Sequence, residues 1–271
     1  MSLPIPAALE FYAPYSVEID GSRGTNRAHT PSTLLHADND VDALQAWLAQ
    51  YIDSPNTFTS YRKESERLLL WANLERNKAI SSLTHEDLLL YQQFLRDPAP
   101  RSRWVLKKGA KVARSHEDWR PFAGPLSASS IRQALTVLNS MYSWLVSAGY
   151  LAANPLAVLR GARTAPAKRM QRYLDMELWD QVKQCIEHLP QETQREKEHY
   201  YRYRWLFSLL YMCGLRVSEL SQNRMNSLFS RRDRHGTLRW WMDIEGKGQK
   251  SRTIPITEEL MDELIRYRTF K

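Results

Sequence analysis

At 271 residues the chain is long enough for two domains, and with 43% hydrophobic and 25% charged residues it is neither disordered nor fibrous. Its formal net charge of +8 is unevenly placed: residues 1–95 carry 7 Lys/Arg against 12 Asp/Glu, residues 96–172 carry 14 against 3, and residues 173–271 carry 17 against 15. Residues 127–172 hold no acidic side chain, which is the footprint expected of a phosphate-backbone binder rather than of a mixed solvated surface. No stretch approaches the roughly 20 apolar residues that cross a bilayer. The start, Met1-Ser-Leu-Pro-Ile-Pro, lacks the basic-then-apolar layout of a secretory signal. A cytoplasmic location without membrane attachment is therefore expected, with Cys185 and Cys213 as buried structural thiols, since neither has a CxxC partner.

In chain order, residues 1–38 are rich in Pro, Ser, Thr and Ala without a sustained period, and read as a flexible arm. A first helix is expected after Asn39 or Asp40, with Val41, Leu44, Trp47, Leu48 and Tyr51 on one face. Ser54-Pro-Asn-Thr breaks it, and a second helix follows from about Thr57 to Leu74 with Tyr61, Leu68, Leu69 and Trp71 inward. Thr84, with Asp87 three residues on, has the form of a capping box for a third helix running to Leu95. Residues 96–126 then make a long Pro- and Gly-containing break with many basic residues, a length that points to function or disorder. Ser127 caps a fourth helix through Ile131, Leu135, Leu138, Met141, Tyr142 and Leu145, stopping near Gly149.

Residues 154–172 (Pro, Ala, Gly and Arg) read as a basic linker between a helical domain, 39–153, and a second domain from 173. In the second domain Asp175 caps a helix to about Leu189, a longer one runs from Gln194 to Cys213, Gly214 interrupts it, and another continues from Val217 to Asn223. The period then shifts to two: Gly236–Ile244 and Arg252–Ile256 read as strands flanking the turn Gly246-Lys-Gly-Gln-Lys, and Thr257 caps a last helix to Phe270. The fold class is therefore mainly α with a small antiparallel sheet.

Two segments carry chemistry. In Gly214-Leu-Arg216-Val-Ser-Glu219-Leu an apolar helix ends at a glycine and an arginine begins the next helix, with a glutamate one turn on. On its own this is an ordinary i,i+3 ion pair. In Gly246-Lys247-Gly248-Gln249-Lys250-Ser251-Arg252 a cationic turn joins two strands, which on its own is a solvated β-turn.

In this order and spacing the two segments resemble the tyrosine recombinases, the phage integrase family, and the resemblance extends to Thr57-Phe-Thr-Ser-Tyr-Arg, Ser129-Ser-Ile-Arg-Gln and Asn154-Pro-Leu. It implies a helical core-binding domain (a SAM-like four-helix unit) followed by an α+β catalytic domain that is incomplete at its C-terminus. It also implies a clamp on double-stranded DNA, cleavage through a 3′-phosphotyrosyl link and rejoining, no metal and no cofactor, and tetramers on paired DNA sites, this chain being monomeric off DNA. Arg216 matches the family's first active-site arginine, Lys247 its hairpin lysine, and Glu219 a supporting acidic position. A planar guanidinium suits the extra charge of a pentacoordinate phosphorane, and a lysine on a mobile turn can protonate the leaving 5′-oxygen.

The chain departs from that pattern. The family places a His-x-x-Arg box and the tyrosine nucleophile after the hairpin, whereas here no histidine follows Lys247, and Tyr267, the only later tyrosine, has no such box before it. A fragment or shortened chain that binds DNA without cleaving it is expected. Candidate DNA contacts are Ser60, Arg62, Ser130 and Arg132 on the helices, Lys107, Lys108, Lys111 and Arg114 on the basic loop, Arg160, Arg163, Lys168, Arg169 and Arg172 on the linker, and Lys250 and Arg252 on the hairpin. A non-catalytic DNA-binding regulator or remnant occupying recombination sites is the alternative. A helical scaffold for acidic partners would explain the charge but not Arg216 and Lys247.

Overall fold

The computed structural model describes residues 5–14, 16–29, 34–158, 173–246, 248 and 250–270, in two compact units, Met1–Thr164 and Ala165–Lys271. The sequence sets the helix starts of the first unit through side-chain caps. Asn39 accepts from the Asp42 N–H and opens α1 (Asp40–Ala49). Pro55, whose missing N–H costs nothing in a first turn, opens α2 (Pro55–Arg76) two residues before the expected start. Thr84 and Asp87 form the capping box of α3 (His85–Arg96), and Ser127 caps α5 (Ala128–Ser147). The apolar stripes of these helices meet in one core that includes Leu44, Trp47, Leu68, Leu88, Tyr91, Leu138 and Met141.

Two segments differ from the reading of the sequence. The segment read as a flexible arm packs on this core: Ala8, Leu9 and Ile19 are buried, the Leu9 N–H donates to buried Glu66 at 2.7 Å, and Arg27 forms a bridge with Leu151. Its apolar residues are too few for a helical period yet enough to cover an edge of the bundle. The long break 96–126 also folds inward. It contains a short α4 (Arg101–Trp104) and buries Trp104, Trp119 and Phe122, while Arg67 Nε donates to the Pro121 carbonyl at 2.9 Å. Single aromatics spaced along a loop give no periodic signal, so composition alone reads such a segment as open.

In the second unit Asp175 caps α6 (Met176–Glu187), and Thr193 with Glu196 forms the capping box of α7 (Gln194–Cys213). Gly214, at φ 56°, ends α7 in the left-handed region where glycine is favoured. A short α8 (Val217–Gln222) follows, and then a three-stranded antiparallel sheet in the order β1 (Leu228–Arg232), β2 (Leu238–Glu245), β3 (Ser251–Ile256). Only β2 and β3 are evident in the sequence; β1, Leu-Phe-Ser-Arg-Arg, has too little alternation. α9 (Glu258–Phe270) closes the unit. Met242, Ile244 and Ile256 on one sheet face pack with Leu209, Leu215 and Leu260, so the sheet is covered on that side. The chain is mainly α with a small antiparallel sheet, as its periodicities indicate. Cys185 is exposed rather than buried, and Cys213 is half-buried, its thiol pushed up to about 11 by burial. Among the described residues no helix is long and apolar enough to cross a membrane.

Candidate functional site

The break at Gly214 turns the chain so that Leu215 enters the core and Arg216 stands at the start of α8. Glu219, one turn on, faces inward with its side chain 2% exposed, and it gathers the neighbouring groups. Its carboxylate accepts from the Arg216 backbone N–H at 2.9 Å and from Arg216 Nη1 at 2.8 Å. It also accepts both ends of the Arg252 fork, Nη1 at 2.9 Å and Nη2 at 2.8 Å. Two guanidiniums and a backbone donor on one carboxylate leave a net positive charge at the surface, and the Arg216 side chain remains 69% exposed.

The turn between β2 and β3 begins close to the same carboxylate. The Gly246 N–H donates to the Lys250 carbonyl at 2.8 Å, and a Cβ added at Gly246 would stand 3.3 Å from Glu219 Oε1 and 3.5 Å from Arg252 Nη1. The backbone that leads into Lys247 therefore starts beside the group that fixes Arg216. Lys247 itself lies outside the described residues, while Lys250 is exposed on the same turn. The role of Arg252 in holding Glu219 was missed by sequence reasoning, although a signal existed: on β3, Arg252, Ile254 and Ile256 fall at period two, which places Arg252 on the covered face of the sheet.

The arginines hold Glu219 well below the ordinary glutamate range, Arg252 contributing most and burial opposing. For a carboxyl whose folded pKa is depressed, the stabilisation is fully present above its unfolded value and is lost as pH falls through the folded value. The second unit should therefore lose stability in acid below about 4.5, the ordinary value for this group. Urea midpoints measured across that range should flatten in Glu219→Gln; an unchanged acid limb would show that the cluster adds no pH-linked stability.

The candidate contacts of the first unit fall into two groups. Lys107, Lys108 and Lys111 are exposed, with no carboxylate partner among the described residues. Arg132 and Ser130 are exposed at the start of α5, Ser130 donating its backbone N–H to the capping Ser127. Arg62 and Arg114, by contrast, are engaged internally. Glu10 accepts from Arg62 Nη1 at 2.6 Å and from Arg114 Nη2 at 2.7 Å, and Arg114 also holds buried Glu66. Ser60 is half-buried on α2. Arg160, Arg163, Lys168, Arg169 and Arg172 lie outside the described residues.

The helical first unit and the α+β second unit, with Arg216 clasped by Glu219 beside the Gly246 turn, can be set beside known proteins. Residues 179–269 match the family described as the phage integrase family. The tyrosine recombinase XerD of Rickettsia conorii is 27% identical over 208 residues, 76% of this chain and 63% of that protein. XerC of Xanthomonas campestris pv. campestris is 27% identical over 231 residues, 84% of this chain and 58% of that protein. Among solved structures, the XerH site-specific recombinase in a post-cleavage complex with palindromic difH substrate shares the fold, at a TM-score of 0.51 and 14% identity over 86% of this chain and 59% of that one. The chain is similar to the tyrosine recombinases, and its match to the phage integrase family is confined to residues 179–269. It spans less than two thirds of the length of these relatives.

Proposed function

We propose that this chain grips double-stranded DNA and supplies two groups, Arg216 and Lys247, to site-specific strand cleavage and rejoining through a 3′-phosphotyrosyl intermediate. In this reading the first unit is the core-binding domain, the second the catalytic domain, and residues 154–172 the basic linker that crosses the duplex. The observation that carries it is the clasp: a carboxylate fixes Arg216 at a helix start and lies beside Gly246, the residue that precedes Lys247 in the sequence. Arg216 stabilises charge on the phosphorane, Lys247 protonates the leaving 5′-oxygen, and neither step calls on a metal or nucleotide. The partner is duplex DNA in the cytoplasm, with tetramers forming on paired sites and this chain monomeric off DNA.

The 271 residues contain no His-x-x-Arg box or matching tyrosine after the hairpin, so on their own they bind without cleaving. On a nicked suicide substrate they should form no covalent adduct, and an adduct would contradict this. Each phosphate neutralised adds about 0.9 to the slope of log K against log salt. Lys107→Ala, Lys108→Ala and Lys111→Ala together should reduce that slope by about 2–3. A slope unchanged in the triple variant would remove the basic loop from the interface.

A further inference from the structure

The solvent face of the sheet in the second unit carries features that a one-sided sheet normally lacks. An antiparallel sheet with one covered face is expected to be polar on the other. Here the register sets Phe229 opposite Trp241 and Trp241 opposite Pro255, an apolar row across all three strands on the side away from the core. Phe229 is 37% exposed. The next outward pair toward the β1–β2 turn is Arg231 opposite Arg239, like charges in a position where like charges repel. Arg239 is neutralised by Asp233, Nε to Oδ2 at 3.2 Å, whereas Arg231 has no ion-pair partner among the described residues. Arg232 donates to the Gly236 carbonyl and Arg234 to the His235 ring, so both keep their charge. A depression of about 500 Å³ lies here, lined by Phe229, Trp241 and Thr253, by Arg231, Arg232 and Arg234, and by Asp233, whose carboxylate is engaged by Arg239. Apart from Asp233, the acidic residues of this face, Asp243 and Glu245, stand at the other end of β2, and Asp243 accepts from Thr253 Oγ1.

We infer that this face is a second nucleic-acid site, one that takes an unpaired strand: bases stack on Phe229 and Trp241 while Arg231 and, from the β1–β2 turn, Arg234 hold the phosphates. The charge and the rings select this ligand together. Uncompensated guanidiniums at one end of the face call for a polyanion, and an exposed ring beside the half-buried Trp241 offers a stacking surface for the π-faces of bases, which only unpaired strands present. An acidic peptide would satisfy the arginines and leave the aromatic row unused. The inference rests on the reading of the chain as a DNA binder for its class of ligand, but not for its location, since none of these residues belongs to the Arg216 clasp or to the basic loop.

The test uses the whole 271-residue chain and a fluorescein-labelled single strand of about 12 nucleotides, within the length such sites cover, with a duplex of the same sequence in parallel. Phe229→Ala combined with Arg231→Ala should weaken single-strand binding by about tenfold or more and leave duplex affinity within about twofold. Phe229→Tyr, which keeps the ring, should bind like the parent. Ultraviolet cross-links from 5-bromodeoxyuridine in the strand should map to β1 and β2. Unchanged single-strand affinity, cross-links confined to other elements, equal loss of duplex and single-strand binding, or a polyglutamate peptide that competes as well as the oligonucleotide would each overturn the inference. The Lys107, Lys108 and Lys111 variant separates the two sites: it should lose duplex affinity and keep the single strand. A parent chain that binds the single strand but no duplex would sink the proposed clamp and leave this site standing.

Discussion

On the proposed function, Arg216→Ala in a cleavage-competent form of the protein should lower strand cleavage by about 10²–10³-fold, the usual effect of removing one preorganised transition-state donor, and leave duplex affinity nearly intact. The geometry is specific about why. Glu219 takes the Arg216 backbone N–H and a single Nη1 donor, so the side chain is oriented while most of its donors face solvent. Arg252 neutralises the rest of that carboxylate, so Arg216 is held in place with its charge uncancelled. Arg216→Lys should recover little, because a point charge on a flexible stem offers neither the fork nor its fixed direction. Single-turnover cleavage and filter binding measured on the same preparations separate the two effects. Equal loss of binding and cleavage would make Arg216 a DNA-holding residue and no more.

The largest stability effect is expected at Trp104. This residue is fully buried, its ring packs against Phe94 and Phe122, and its Nε1 donates to Glu75 Oε1 at 2.8 Å. Trp104→Ala should destabilise the first unit by about 3–5 kcal/mol, the range for emptying a large aromatic site, against a total of about 5–15 kcal/mol for a domain. Trp104→Phe keeps the ring and should lose much less. Urea unfolding reads both. Because Lys107, Lys108 and Lys111 follow within a few residues, duplex binding should fall with the alanine variant even where the unit remains folded. A cost below about 1 kcal/mol would show that the basic loop is not anchored by this side chain.

These two residues also mark where the sequence was legible. Helices with a cap and a sustained stripe, such as α3 with Thr84 and Asp87 or α7 with Thr193 and Glu196, could be placed to within a residue or two, because both cap and period are local. The fixing of Arg216 by Glu219 was legible for the same reason, being an i,i+3 relation. Trp104 was not, since nothing local tells an anchored loop tryptophan from an exposed one; its partners are on α2, α3 and the far side of its own loop. Arg252 lies between these cases. Its side of the strand followed from alternation, but its partner, 33 residues away in sequence, did not. Arg62 and Arg114 read as free cations because Glu10 sits in a stretch with no helical or strand period.

The bridge between Arg27 and Leu151, with Asn26 Nδ2 donating to the Ala153 carbonyl and the Ala28 N–H to the Tyr150 carbonyl, joins the beginning of the first unit to its last turn. During synthesis, residues 26–28 can find these partners only after residues 150–153 have left the ribosome, by which time all of α1 to α5 has been made. Closing so long a loop sets a late step in folding, and it gives a nascent chain halted short of Ala153 an unsealed edge along α1 that a protease or chaperone can reach.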